Sequence, residues 1–215
     1  MEELFILSQT EFQILAASRG IRRFFGVKSN VVLDETMVLY QIHEMAQRGI
    51  LTQNGEGFEI QETYRNLMDG IKNATKLLVI SDTRDTNGNV CIYKGEKIVC
   101  LEESPRDEDS LRLGIYEGDE LSQVLRDREL LPENSYDSDI MQLQDPEQYR
   151  EEILAASPLV SYEVMMNDAE IAEKQIIEVV MVLGQYWIRK QGIGESIEIF
   201  GYDRQQMCET LQELL

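Results

Sequence analysis

Apolar positions recur at helical spacing through the first third of the chain and at strand spacing through most of the remainder. Phe12, Leu15 and Ala16 follow Ser8-Gln9-Thr10-Glu11, where a Ser and a Glu three apart form a capping box, so a first helix is predicted over about 9–19, closed by Gly20. Asp34 is a fitting N-cap for a second helix that places Val38, Leu39, Ile42, Met45 and Ala46 on one face before Gly49 stops it. A hairpin follows, Ile50-Leu51-Thr52 and Phe58-Glu59-Ile60 around an Asn54-Gly55 turn, and then a third helix through Tyr64, Leu67, Met68 and Ile71. Helix, helix, small hairpin, helix is the order of a winged-helix module.

From Lys76 the period shortens. Leu77–Ile80, Val90–Tyr93, Lys97–Leu101 and Leu111–Tyr116 are rich in β-branched and aromatic residues and read as four antiparallel strands. If Gly95-Glu96 is a two-residue type II′ turn, Cys91 and Cys100 face each other at a non-hydrogen-bonded pair, as packed thiols or a redox-sensitive crosslink. A helix is predicted from an Asp119 cap through Leu121, Val124 and Leu125 to Leu130-Leu131-Pro132, followed by a polar, acidic linker to about Pro146. Beyond it come a helix over 147–156, strand patterns over 159–166, 175–189 and 195–200, and a closing helix over 203–215.

An 84-residue shift aligns Leu113–Tyr116 with Ile197–Phe200, Asp119 with Asp203, and Glu129-Leu130-Leu131 with Glu213-Leu214-Leu215; it also carries Ile98-Val99 onto Val182-Leu183. The expectation is a single α+β domain over 1–215 with two pseudo-repeats, an N-terminal half at 1–132 and a C-terminal half at 147–215, related by a pseudo-twofold.

Composition narrows the function. With 215 residues and 43% hydrophobic content the chain can build a sizeable core, and its net charge of -20 repels phosphate backbones and anionic membranes while favouring cationic or polar protein partners. The opening residues carry acidic charge where a secretory signal carries basic charge. The longest apolar stretch, Ile176 to Ile188, is interrupted by Glu178, Gly184 and Gln185, so a cytoplasmic location without membrane insertion is expected. The three cysteines, Cys91, Cys100 and Cys208, lack metal-ligand spacing and read as reduced thiols.

Candidate chemistry is sparse. The single histidine, His43, sits in no catalytic signature; Gly55-Glu56-Gly57 and Gly192-Ile193-Gly194 read as turns; the acidic runs at 102–109 and 133–139 match no calcium loop. No catalytic residue, cofactor or metal site is expected, and the chain reads as a protein-binding molecule rather than an enzyme. Tyr186, Trp187 and Arg189, in the stretch Tyr186-Trp187-Ile188-Arg189-Lys190, combine amphipathic aromatics with positive charge and are candidate partner-binding residues; the alternative places Trp187 in the core of a central strand.

The order of elements resembles the EspG family, cytosolic chaperones of type VII (ESX) secretion. The resemblance rests on the opening Thr10-Glu11-Phe12-x-x-Leu15 helix, a second helix ending in Arg48-Gly49-Ile50-Leu51, a turn and strand, Leu67, Leu77-Leu78-Val79-Ile80, and the later hairpin and strand-helix ending at Leu130-Leu131-Pro132. It implies a quasi-twofold central antiparallel sheet flanked by helical bundles, and a chaperone or adaptor that binds a secreted substrate with a helical-hairpin targeting region, as monomer or homodimer. Two other readings stand beside it. One is a winged-helix transcriptional regulator, against which residues 1–80 carry ten acidic and eight basic side chains, although Arg19, Arg22, Arg23 and Lys28 cluster locally. The other is an acidic immunity or antitoxin protein that binds a toxin.

Overall fold

The computed structural model describes residues 3–27, 34–55, 57–84, 89–104, 107–117, 121–133, 145–166, 174–192 and 194–215. Local sequence accounts for its first helix. In α1 (Gln9–Ser18), Ser8 Oγ accepts from Glu11 N–H and the Glu11 carboxylate accepts from Ser8 N–H, so both arms of the capping box form. Helix α2 (Glu35–Gln47) starts from Asp34, whose carboxylate accepts from Met37 N–H. A separate two-stranded sheet, β2 (Leu51–Asn54) with β3 (Gly57–Ile60), then leads into α3 (Glu62–Lys72). Ahead of α1 lies a strand that the sequence pattern did not assign to any element, β1 (Glu3–Ser8).

The remaining strands are β4 (Lys76–Asp82), β5 (Asn89–Lys94), β6 (Lys97–Ser104), β7 (Asp107–Glu117), β8 (Pro158–Met166), β9 (Lys174–Val182), β10 (Gln185–Gln191) and β11 (Glu198–Gly201). With β1 they make one nine-stranded antiparallel sheet ordered β1-β7-β6-β5-β4-β8-β9-β10-β11. Apart from β1, which is added at one edge, the order is a mirror of itself about the β4–β8 pair. Each half is a four-strand meander followed by a helix, α4 (Leu121–Asp127) after β7 and α6 (Arg204–Leu214) after β11, and the two helices touch on one face of the sheet. Asp203 caps α6 through Gln206 N–H; the matching Asp119 lies outside the described residues, as does most of the predicted linker, 134–144. The 84-residue offset holds for the last strand and helix of each half but not between them: Ile98-Val99 lies inside β6, whereas Val182 ends β9 and Leu183 is in the turn beyond it.

Alternation along the strands divides the core in two. Ile92, Cys100, Tyr162, Val179 and Ile188 face α4 and α6, while Leu77, Cys91, Tyr93, Val99 and Leu113 face α1 and α3. Each fully buried aliphatic side chain in these layers contributes about 1.5–3 kcal/mol of transfer free energy. Among the described residues, the second face beyond β8 carries only a 3₁₀ turn (Pro146–Tyr149) and the short α5 (Arg150–Ala155), over a small cluster of Ile153, Val180 and Trp187.

The two cysteines of the β5–β6 hairpin do not face each other. The ladder pairs Cys91 with Leu101 and Ile92 with Cys100, one residue off the predicted register, so the thiols lie on opposite faces in separate core layers. The cause is the turn. Gly95 takes no positive φ, and Gly95 N–H donates to Lys97 C=O, which leaves Glu96 at the apex. The turn packs closely on the chain leaving α3: a Cβ at Gly95 would lie 3.1 Å from the Asn73 carbonyl oxygen and 3.3 Å from Ala74 Cα. Burial pushes the Cys91 thiol up to about 12, which suppresses its thiolate at neutral pH. Under diamide the native protein is therefore expected to form no Cys91–Cys100 bond, and maleimide should label the partly exposed Cys208 first. Non-reducing peptide mapping that recovers the Cys91–Cys100 pair would contradict this register.

Candidate partner-binding surface

Strand β10 carries the three residues singled out by the sequence, and alternation sends them to both faces. Tyr186 lies on the α4/α6 face, with its ring 5.9 Å from that of Tyr202 at a near-perpendicular angle. Trp187 and Arg189 lie on the other. Trp187 is 1% exposed beneath the 3₁₀ turn and α5, its ring 6.2 Å from that of Tyr149. Arg189 donates from Nη1 to the Ile153 and Leu154 carbonyls, the unsatisfied end of α5, and pairs through Nη2 with Glu178 at 2.8 Å. Together Trp187 and Arg189 fasten α5 to the sheet, while Tyr186 supports the opposite layer.

Apart from Leu4 and Ile6 on β1, exposed apolar side chains among the described residues gather in two other places. The first is α2. Only Met45 is buried; Val38, Ile42 and Ala46 are half-buried along the inward stripe, and Leu39, expected to join them, is 68% exposed. Met37 and Tyr40, one turn apart, are also exposed. Contacts with α1 and β2 do not extend to covering the first two turns of this helix, so its outer side offers aromatic and aliphatic surface beside His43, whose Nε2 lies 2.8 Å from Gln47 Nε2.

The second is the β9–β10 tip. Leu183 and Gly184 are the two central residues of a tight turn between paired Val182 and Gln185, with φ of +52° and +79°. Positive φ at both positions makes the turn type I′, which favours Asn-Gly. A leucine there costs about 1 kcal/mol of backbone strain, and its side chain is 79% exposed, next to Met181 at 52%. Neither cost is offset by packing among the described residues. Replacing Leu183 with Asn is expected to stabilise the protein by about 0.5–1 kcal/mol, read as a rise in Tm of roughly 1–4 °C. An unchanged or lower Tm would show that the leucine is tied into the fold.

Other chemistry is thin. Among the described residues no group of three or more His, Cys, Asp and Glu side chains is placed to hold a metal ion, and no helix is long and apolar enough to cross a membrane. The acidic run at 102–109 falls on the facing ends of β6 and β7, apart from 105–106, which lie outside the described residues. In the local basic cluster of the first segment, Arg19 is taken up by Asp69 at 2.5 Å. His43 and the glycine pairs signalled nothing further in the sequence, and the exposed Leu39 and Leu183 carried no motif that could have marked them.

The fold as a whole, an antiparallel sheet with a helix after each meander and a helical layer on the opposite face of one half, has a likeness among solved structures. It is shared with the Mycobacterium tuberculosis type VII secretion system chaperone EspG5, solved in complex with a PE25–PPE41 dimer, with a TM-score of 0.57 over 99% of this chain and 95% of that chain, at 10% sequence identity. That likeness establishes an EspG-like fold, as the sequence resemblance implied. Neither a protein-family model nor a curated protein matches the chain.

Proposed function

We propose that the protein is a non-catalytic chaperone or adaptor of a type VII secretion system, which holds a secreted substrate with a helical-hairpin targeting region in the cytosol and keeps it soluble and export-competent. The observation that carries this reading is the agreement of fold along nearly the full length of both chains. The surface supports it: exposed apolar groups on α2 and at the β9–β10 tip can cover apolar surface on a client, and a chain of net charge -20 keeps the loaded complex dispersed. The whole of 1–215 acts as one unit in this reading, with the halves 1–132 and 147–215 sharing the central sheet. Tyr186, Trp187 and Arg189 contribute by shaping what the client meets, since Trp187 and Arg189 hold α5 in place and Tyr186 braces the Tyr202 layer.

The test is co-expression with helical-hairpin substrates of the same type VII system. A stoichiometric complex by size exclusion with light scattering, and client solubility that depends on this chain, is the expected result. Clients that stay equally soluble without it, and run separately from it, would overturn the proposal.

A further inference from the structure

On the α4 side of the sheet, where β4 and β6 end and β7 begins, lies a half-open cavity of about 780 Å³. Five of its fourteen lining residues are arginines, in a chain where 20 of 215 residues are basic and the net charge is -20. They arrive from separate parts of the sequence: Arg84 just past β4, Arg112 from β7, Arg126 and Arg128 from the end of α4, and Arg204 at the start of α6.

The lining holds five arginines and five carboxylates, and ion pairing divides them. Arg128 is deep, with its side chain 10% exposed; its Nε donates to Tyr116 Oη at 3.1 Å and its Nη1 lies 2.6 Å from Glu102. Arg112 reaches the same carboxylate at 3.3 Å, so Glu102 serves two guanidinium groups. Arg84 pairs with Asp82 at 2.5 Å. The other three lining carboxylates, Asp127, Glu129 and Glu133, are on exposed residues, where water and salt screen them as they screen Arg126. Arg126, also exposed, forms no ion pair among the described residues. Val90, Leu130 and Leu131 supply an apolar wall. A helix C-terminus alone accounts for one or two basic residues near α4. It does not account for Arg84, Arg112 and Arg204.

We infer that this cavity is a binding site for a small anion carrying two or more phosphate or carboxylate groups. Guanidinium forks bind both groups bidentately, the volume is that of a small-molecule pocket, and several forks at different depths match a ligand with more than one anionic centre. The site is separate from α2 and the β9–β10 tip, and its existence does not depend on the chaperone reading.

The test uses the full chain, with pyrophosphate and citrate as probes, in thermal shift and isothermal titration calorimetry at constant ionic strength set with sodium chloride. Saturable binding of either probe is expected, pyrophosphate alone marking a phosphate ligand and citrate alone a carboxylate ligand. The R112Q/R126Q double variant should weaken it about tenfold or more. R22Q/R65Q makes the same change in net charge at exposed positions away from the cavity and should bind as the parent does. Unliganded Tm of each variant establishes that it is folded, and R126Q alone, which breaks no ion pair among the described residues, provides a second folded probe with a smaller loss. No saturable binding of either probe to the parent, or equal binding by R112Q/R126Q, would overturn the inference.

Discussion

Replacing Trp187 with alanine is expected to destabilise the protein by about 3–5 kcal/mol, the usual cost of emptying a fully buried aromatic site, which lowers Tm by roughly 6–20 °C for a chain of this size. The ring fills the small cluster with Ile153 and Val180 and touches Tyr149, so its loss empties most of what holds α5 and the 3₁₀ turn on the sheet. W187F should cost much less, about 1–2 kcal/mol, because it keeps most of the volume and removes an indole N–H that is buried with no acceptor among the described residues. Since Trp187 is the sole tryptophan, the parent's emission should be blue-shifted and should move to the red as α5 detaches. Denaturant unfolding followed by circular dichroism measures the two variants. A loss below 1 kcal/mol in W187A would mean that α5 is held from elsewhere.

R48A should be the next most damaging change. Arg48 Nη1 donates to Glu11 Oε1 at 2.6 Å and its Nη2 to the Ile6 carbonyl at 2.9 Å, while Glu11 is fully buried and takes its other hydrogen bond from Ser8 N–H at 2.7 Å. Removing the arginine strands a buried carboxylate, which costs 3–5 kcal/mol in a closed interior. Arg48 itself is 46% exposed, so water can enter the vacated position and the expected loss is nearer 2–3 kcal/mol. E11Q/R48A removes the stranded charge and should recover at least half of that. Equal stability of R48A and E11Q/R48A in urea melts would show that the ion pair is not what the arginine contributes. R48A also uncovers the outward carbonyl of the edge strand β1, so self-association should increase at high protein concentration.

What could be read from the sequence was what short-range chemistry decides. The capping box of α1, the Asp34 and Asp203 caps and the β-rich meanders all lie within a few residues of their signals, and the resemblance to EspG proteins led to the observed fold. The β5–β6 register was misread because the turn closes from Gly95 to Lys97 around Glu96, and the glycine that suggested a two-residue type II′ turn takes no positive φ. Leu39 follows helical periodicity inward, yet it is 68% exposed, with no described element packed over it. The aromatic and basic residues of β10 drew attention as surface anchors, but alternation in a strand covered by α5 puts Trp187 inside. The arginine cavity had no linear signature, since Arg84, Arg128 and Arg204 meet only through the sheet.

The position of β1 has a temporal consequence. Glu3 pairs with Ile115 and Ser8 with Ser110, so the first strand described has no partner until β7 has left the ribosome. At ordinary translation rates of about 5–20 residues per second, Leu4-Phe5-Ile6-Leu7 waits roughly 5–20 s as an unpaired apolar segment. The β4–β6 part of the meander can close in the meantime from neighbouring hairpins. Folding of the first meander should therefore be completed by adding β1 to the β7 edge, and arrest of translation shortly before β7 should leave β1 open to protease and to holdase chaperones.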